Sequence, residues 1–571
     1  FTGTTSVRQK QAFSILGRFL LAWALPILLG ISAGAADRTT CFVPQASDSP
    51  GSGPFAGVTA DQLYGDEAGD GWKAYVRLWR AHHDDPSDSN VRRFLGLPLR
   101  GVLDAKPKRS RAAPSWLNWR PGSYQEIATP HFTIFSHASS ADAKWVAEDL
   151  ERCYWVWTQM FFPLWEASPQ VTATLGRLTP QESVSQYLDG RPSRITVRRK
   201  LRVVLFRDSR EYQRTLGRSV PGIERSTGYY NDQNQTIFLY VGDIDDAATR
   251  RHEMVHQLFR EATRSGLRQN QMPAEESGFW LIEGIAGYFE SLQVGDRVAT
   301  VGGWDASRLQ FARYRVLGLA DTMLMDELQL DGRAAAQQRD DLARWYAHGI
   351  AQTHRLMDGG NFQERHWLYH QLADKYLVDS DLNPGALSTA GHQTLREFLR
   401  IDDDVLQDNR IDRPLASLCL SGCQVTAEGL KAIPGSQSLN WLDLSGLPVG
   451  NDSVRRLAPA PQSIQRLSLE RTEIDSGLGG WLAGAINLRE LDLSSTAVGD
   501  SIMTTIGNAQ RLEVLWMTAT EVSDASIDRI AGLRQLQAVD LQRSGVTAAG
   551  LSRLQRLRPD LSINPLEIRS K

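Results

Sequence analysis

Cysteine is scarce: four in 571 residues cannot build a disulfide scaffold. Cys41 and Cys153 could pair, although no spacing requires it, and Cys419 and Cys423 fall inside a repeat, which argues against a zinc knuckle. Excess charge is missing as well. The 63 basic and 66 acidic side chains leave a formal net charge of −3, which gives no electrostatic reason to expect nucleic acid or an anionic membrane as partner. Long apolar runs are also absent. The most apolar stretch, Phe19 to Ile31, is interrupted by Pro26 and is short for a spanning helix. Arg8, Lys10 and Arg18 precede it and Ala33-Gly34-Ala35 follow. A basic start, an apolar middle and a small-residue cleavage site predict a secretory signal peptide over residues 1–35, with an uncleaved anchor as the alternative. The expected location is therefore extracytoplasmic: secreted, periplasmic or in the cell envelope, with no membrane span after signal cleavage. Arg38-Thr39-Thr40-Cys41 lacks the apolar residues of a lipid-attachment site. A hydrophobic content of 42% fits folded domains, and the length exceeds what one core supports.

One pentapeptide carries chemistry, His252-Glu253-Met254-Val255-His256. Histidines four apart on a helix share a face, so both imidazoles reach one zinc ion. The glutamate between them reaches a water that zinc acidifies, and can take its proton. Zinc needs a third protein ligand and an open fourth position. Downstream, Trp280-Leu281-Ile282-Glu283-Gly284-Ile285-Ala286-Gly287-Tyr288-Phe289-Glu290 sets Glu283 among apolar residues at helical spacing. A carboxylate there is costly to bury unless it is paired or binds metal. It follows His256 by 27 residues (283 − 256), enough for a second helix to fold back on the first.

The pattern W-L-x-E-G-x-A-x-Y-x-E resembles the third-ligand helix of gluzincin metallopeptidases, the class containing the aminopeptidase-N and thermolysin families. The resemblance implies His252, His256 and Glu283 as ligands of one Zn2+ per chain, with Glu253 as general base. Arg344-Trp345-Tyr346-Ala347-His348-Gly349 is similar to the Tyr-x-Lys-Gly segment of aminopeptidase-N-like enzymes, with His348 in place of the lysine. That similarity implies Tyr346 as a hydrogen-bond donor to the forming oxyanion. The other reading of Tyr346 is a packed side chain with a polar tip. Thr236 to Val241 reads as a strand before the metal helix. In gluzincins a strand near this place forms a sheet edge that pairs with substrate; an ordinary strand is the alternative.

Residues from about Pro130 to Asp404 resemble a bacterial family of gluzincin-like domains through Phe132–Ser136, Leu150–Tyr154, Val203–Phe206, Gly228–Tyr230 and the two zinc motifs. The second motif lies further downstream than in aminopeptidase N, and the Gly-Ala-Met-Glu-Asn motif for a free amino terminus is missing. An endopeptidase or another type of exopeptidase stays open.

Residues 36–122 are rich in Gly, Ser, Pro and Asp and read as a linker, with short helices at Gly71–His83 and Asn90–Leu95. The basic stretch Lys106 to Arg111 reads as an exposed connector. From residue 412 the texture changes. Leu418, Leu442, Leu467, Leu491, Leu515, Val539 and Leu561 start strand-like units separated by 24, 25, 24, 24, 24 and 22 residues. Each sits in the frame L-x-x-L-x-L-x-x-polar, and the polar slot carries Cys423, Thr472, Thr496, Thr520 and Ser544. This is a leucine-rich repeat, which stacks into a solenoid with one continuous core. Cys419, Asp443, Ser468, Asp492, Trp516 and Asp540 occupy the position between the strand leucines. They form either an acidic column for a partner or, as favoured, a structural feature of the repeat.

The expected fold is an α+β metallopeptidase, with a small mixed sheet and a helical zinc-binding subdomain over residues 123–411. An α/β leucine-rich-repeat solenoid over residues 412–571 follows. The expected function is zinc-dependent hydrolysis of peptide bonds in a peptide or protein substrate, with a protein partner on the repeats. The alternative is a catalytically silent extracytoplasmic interaction scaffold.

Overall fold

The structure is a computed structural model that describes residues 38–47, 58–59, 69–103, 105–242, 246–387 and 391–564. The expected signal peptide, residues 1–35, lies outside them. Among the described residues no helix is long and apolar enough to cross a membrane. The described chain forms two compact units, one of residues 37–303 and 323–391, the other of residues 304–322 and 392 onward.

The first unit contains strands β1 (Thr39–Phe42), β2 (Val58–Thr59), β3 (Lys108–Ser110), β4 (Tyr124–Ala128), β5 (Phe132–Ser136), β6 (Leu201–Phe206), β7 (Tyr229–Asn231), β8 (Thr236–Tyr240), β9 (Gln293–Val294) and β10 (Val298–Val301). The helices that matter below are α1 (Asp70–Asp84), α2 (Ser89–Leu95), α3 (Ser140–Met160), α4 (Asp246–Glu261), α5 (Phe279–Phe289), α6 (Arg333–Gln337) and α7 (Leu342–His354). Six strands make a mixed sheet in the order β3-β4-β5-β6-β8-β7, with β5, β6 and β8 parallel. A smaller sheet runs β2-β1-β10-β9. The central strand β6 is an apolar run, Val203 to Phe206, buried along its length, as expected for a strand covered on both faces.

Three expectations need correction in this unit. Thr236–Tyr240 is an inner strand, and the short β7 beside it forms the sheet edge. The described residues between 38 and 122 include both short helices expected there, α1 and α2, but they are packed structure and not a linker. Strand β1 pairs with β10, and α1 buries Trp72, Tyr75, Leu78 and Trp79 at helical spacing. The basic stretch after Lys106 supplies β3, which pairs with β4 and leaves Lys108 and Arg109 exposed on a sheet edge. Charged side chains on an edge block pairing with other chains. Cys41 and Cys153 do not pair; all four cysteines are free and buried.

The second unit is a seven-stranded parallel sheet, β11 (Ser417–Cys419), β12 (Trp441–Asp443), β13 (Arg466–Ser468), β14 (Glu490–Asp492), β15 (Val514–Trp516), β16 (Ala538–Asp540) and β17 (Ser562–Asn564). Register places Leu418, Leu442, Leu467, Leu491, Leu515, Val539 and Ile563 side by side. The last strand is therefore centred on Ile563, not Leu561, and the 24-residue phase holds to the end (563 − 539). The unit begins earlier than residue 412. Within it, buried Arg313 donates through Nε to Leu399 O at 3.0 Å, and Gln310 Oε1 accepts the Cys419 N–H at 2.9 Å. Residues 304–322 thus cover the open start of the solenoid.

The polar slot works as the repeat frame predicts. Thr472 and Thr496 each donate to the carbonyl three residues back at 2.6 Å, Ser544 at 2.7 Å and Thr520 at 2.8 Å. Cys423 differs, its thiol facing Leu399 O at 3.8 Å. The aspartates between the strand leucines are structural. Asp443, Asp492 and Asp540 each accept the backbone N–H two residues on, at 2.9–3.0 Å. The residue before the slot is left-handed in each coil whose turn is described, from Gly422 (φ 75°) to Ala519 (φ 52°) and Arg543 (φ 52°). Glycine takes this conformation without a Cβ penalty. Ala519→Gly is therefore expected to raise stability by about 0.5–1 kcal/mol, read from denaturant melts of the full chain; a lower midpoint would contradict it.

Candidate metal centre

Helix α4 is amphipathic, with Met254, Val255, Leu258 and Phe259 buried in the core. His252, Glu253 and His256 fall on its other, partly open face. Asp149 of α3 anchors the helix, meeting Arg250 at 3.3 Å and Arg251 at 3.2 Å. Helix α5 is apolar on every side and wholly buried, so its one acid, Glu283, must find a cation or a donor.

It finds both histidines. His252 Nε2 lies 3.5 Å from Glu283 Oε2 and His256 Nε2 lies 3.7 Å from Glu283 Oε1. One ligand atom from each of the three residues falls within 4.8 Å of the others. Two donors about 2.0–2.1 Å from a tetrahedral zinc stand about 3.4 Å apart. The spacing, and a donor set of two imidazoles and one carboxylate, fit zinc with its fourth position left for water or substrate.

Glu290 completes the surroundings. Its Oε1 is 2.9 Å from His252 Nδ1, the ring nitrogen facing away from Glu283. A carboxylate on that nitrogen fixes the tautomer and strengthens the ligand. Glu290 closes the sequence pattern quoted above, yet no role for it was read from sequence. The available signal is its spacing, seven residues after Glu283 and so two turns along the same helix face. Glu290→Gln is expected to weaken zinc binding by about 10–100-fold, measured by competition with a chromophoric chelator. Unchanged affinity would remove Glu290 from the centre.

Glu253 is outside this group of three. Its Oε2 accepts the Tyr230 backbone N–H, on the edge strand β7, at 2.7 Å. Gly228 permits this approach, because a Cβ there would sit 2.8 Å from Thr249 Cγ2 and 3.1 Å from Glu253 Cγ. Tyr346, on α7, donates to Glu283 Oε2 at 3.1 Å, so the structure brings it to the cluster. Glycines let α5 and α7 pack closely enough for that contact. A Cβ on Gly284 would lie 2.1 Å from Thr353 Oγ1, and one on Gly287 would lie 2.6 Å from Ile350 Cδ1. His348, one turn-half further along α7, is fully buried in the core.

Charge is unevenly shared in the metal-free cluster. Burial disfavours the His252 imidazolium, but its contacts with Glu283 and Glu290 prevail and push its pKa up to about 10. Burial dominates at His256 and pulls it down to about 3. Burial also opposes ionisation of Glu283, yet His252 and His256 outweigh it and bring that carboxyl down to about 2. Burial raises the Glu253 carboxyl above its ordinary value, the direction a proton-shuttling group requires.

Comparison with known proteins identifies the second unit. The leucine-rich repeat family model matches residues 413–433 and 485–507. Similar solved structures include an internalin of Listeria monocytogenes, 16% identical, covering 27% of this chain and 48% of that one with a TM-score of 0.21. A leucine-rich-repeat protein of Leptospira interrogans is 19% identical, covering 35% of this chain and 62% of that one, also with a TM-score of 0.21. The alignments thus span less than two thirds of either structure. No curated protein matches the chain. The carboxy-terminal unit is a leucine-rich-repeat solenoid, by the family match and by its own strand register.

Proposed function

We propose that the first unit is a gluzincin-type zinc metallopeptidase domain and that the repeats bind protein, selecting or localising its substrate. The observation that carries this reading is the convergence of His252, His256 and Glu283, with Glu253 beside them and outside the ligand set. Zinc held there would polarise the scissile carbonyl and acidify water. Glu253, oriented by the Tyr230 N–H, accepts the proton of the attacking water and returns it to the leaving nitrogen. Tyr346, with its hydroxyl at the cluster, donates to the developing oxyanion. Strand β7 offers a short free edge for an extended peptide beside Glu253.

A second reading is an extracytoplasmic interaction scaffold in which the metal only stabilises the fold. The family match favours it, because it falls on the repeats alone. One experiment separates the two. The full chain, loaded with zinc, is incubated with a proteome-derived peptide library with and without chelator. Cleavage that the chelator abolishes is expected; no cleavage despite stoichiometric zinc leaves the scaffold.

A further inference from the structure

Arg333 is held in place more firmly than an ordinary surface arginine. The segment before it is fastened to the start of the ligand helix α5. Gly278 N–H donates to Gln329 O at 2.9 Å, Phe279 N–H to Asp331 O at 3.1 Å, and Arg333 N–H to Ala274 O at 3.1 Å. Gly332 is pressed against that turn, where a Cβ would lie 2.2 Å from Glu275 O. The Arg333 guanidinium carbon stands 5.3 Å from the centroid of the Phe279 ring. Phe279 precedes Glu283 by one helical turn on the same face of α5. The guanidinium is therefore placed about a turn from the metal ligand, and its charge is felt at Glu283, at His256 and at Tyr229 of the edge strand.

Two acids near it are already engaged by other arginines. Asp331 meets Arg339 at 2.8 Å, and Asp232, which also feels the Arg333 charge, meets Arg260 at 2.7 Å. Glu283 belongs to the ligand set. Among the described residues none forms an ion pair with Arg333, whose guanidinium lies over the Phe279 ring. A planar fork of donors, held near the candidate metal centre and lacking an anion, suits a carboxylate.

Building on the peptidase reading, we propose that Arg333 receives a carboxylate of the substrate close to the scissile bond. Two sources share this chemistry. A free carboxyl terminus would make the enzyme remove one or two residues from peptide ends, whereas an acidic side chain would make it cut beside Asp or Glu.

The test uses the full zinc-loaded chain and three synthetic hexapeptide pools. One pool lacks Asp and Glu and ends in a free acid; the second is the same pool as carboxy-terminal amides; the third is an amide pool that includes Glu. Cleavage of the first or the third pool at least about tenfold faster than the second is expected, and which of them leads identifies the source. In Arg333→Ala the ratio should fall towards one, and Arg333→Lys should retain part of it. Binding of the same pools to Glu253→Gln, read by fluorescence anisotropy, should show the same order without turnover. Equal cleavage of all three pools by the wild type overturns the role of Arg333 and leaves the peptidase reading standing. No cleavage of any pool overturns both. Should Arg333→Ala fail to fold, the wild-type ratio and Arg333→Lys still decide.

Discussion

Glu253→Gln is expected to keep one zinc per chain and to lower peptide hydrolysis by about two to four orders of magnitude. Glutamine has the size and shape of the glutamate it replaces, and its amide oxygen can still accept the Tyr230 N–H that now reaches Oε2 at 2.7 Å. None of the three ligands is altered. What disappears is a group that can take a proton from water and hand it to the leaving nitrogen. Burial already lifts that carboxyl above its ordinary value, which suits it to do both. Zinc content by elemental analysis and turnover of a cleaved library peptide are measured on the same sample. Turnover equal to wild type would mean that Glu253 is not the base. Loss of zinc would mean that it belongs to the metal's own shell.

Zinc affinity is expected to rise about tenfold per pH unit between pH 6 and 8, with one proton released per ion. The ligands predict that number. A zinc ligand must be deprotonated. Glu283, at about 2, is ionised throughout this window, and His256, at about 3, is already neutral. His252, at about 10, is protonated and must give up its proton to the incoming metal. Titration calorimetry in buffers of different ionisation enthalpy reads the proton count directly. Two protons, or none, would show that the charge is shared differently. The same group shapes the stability of the metal-free protein. Its folded pKa lies above the ordinary value of 6.5, so its contribution is complete below that pH and fades as pH rises towards 10.

The three side chains that converge as a candidate metal site were legible in the sequence because each signal is local. His252 and His256 are one turn apart on one helix, and Glu283 is an acid in an otherwise apolar one. The repeats were legible because seven units follow one another at six near-equal spacings; only the last register differs, Leu561 being expected where the sheet uses Ile563. Glu290 and Arg333 escaped notice because their meaning lies in contacts across the fold. A carboxylate at a helix end and an arginine opening a short helix carry no mark until α4, α5 and the start of α6 meet. For residues 36–122 composition suggested a linker, yet the two short helices expected there, Gly71–His83 and Asn90–Leu95, match Asp70–Asp84 and Ser89–Leu95. What composition hid is that the first of them is packed, with Trp72, Tyr75 and Trp79 buried. Asp443, Asp492 and Asp540 are the reverse case, since each makes the local backbone hydrogen bond that the structural reading expects.

Anomalous diffraction at the zinc edge, from crystals of the zinc-loaded protein, tests the central claim most directly. The account predicts a single strong peak within bonding distance of His252 Nε2, His256 Nε2 and a Glu283 oxygen, with Glu253 outside the shell. A density map with Glu283 rotated away and no peak between the two imidazoles would contradict it.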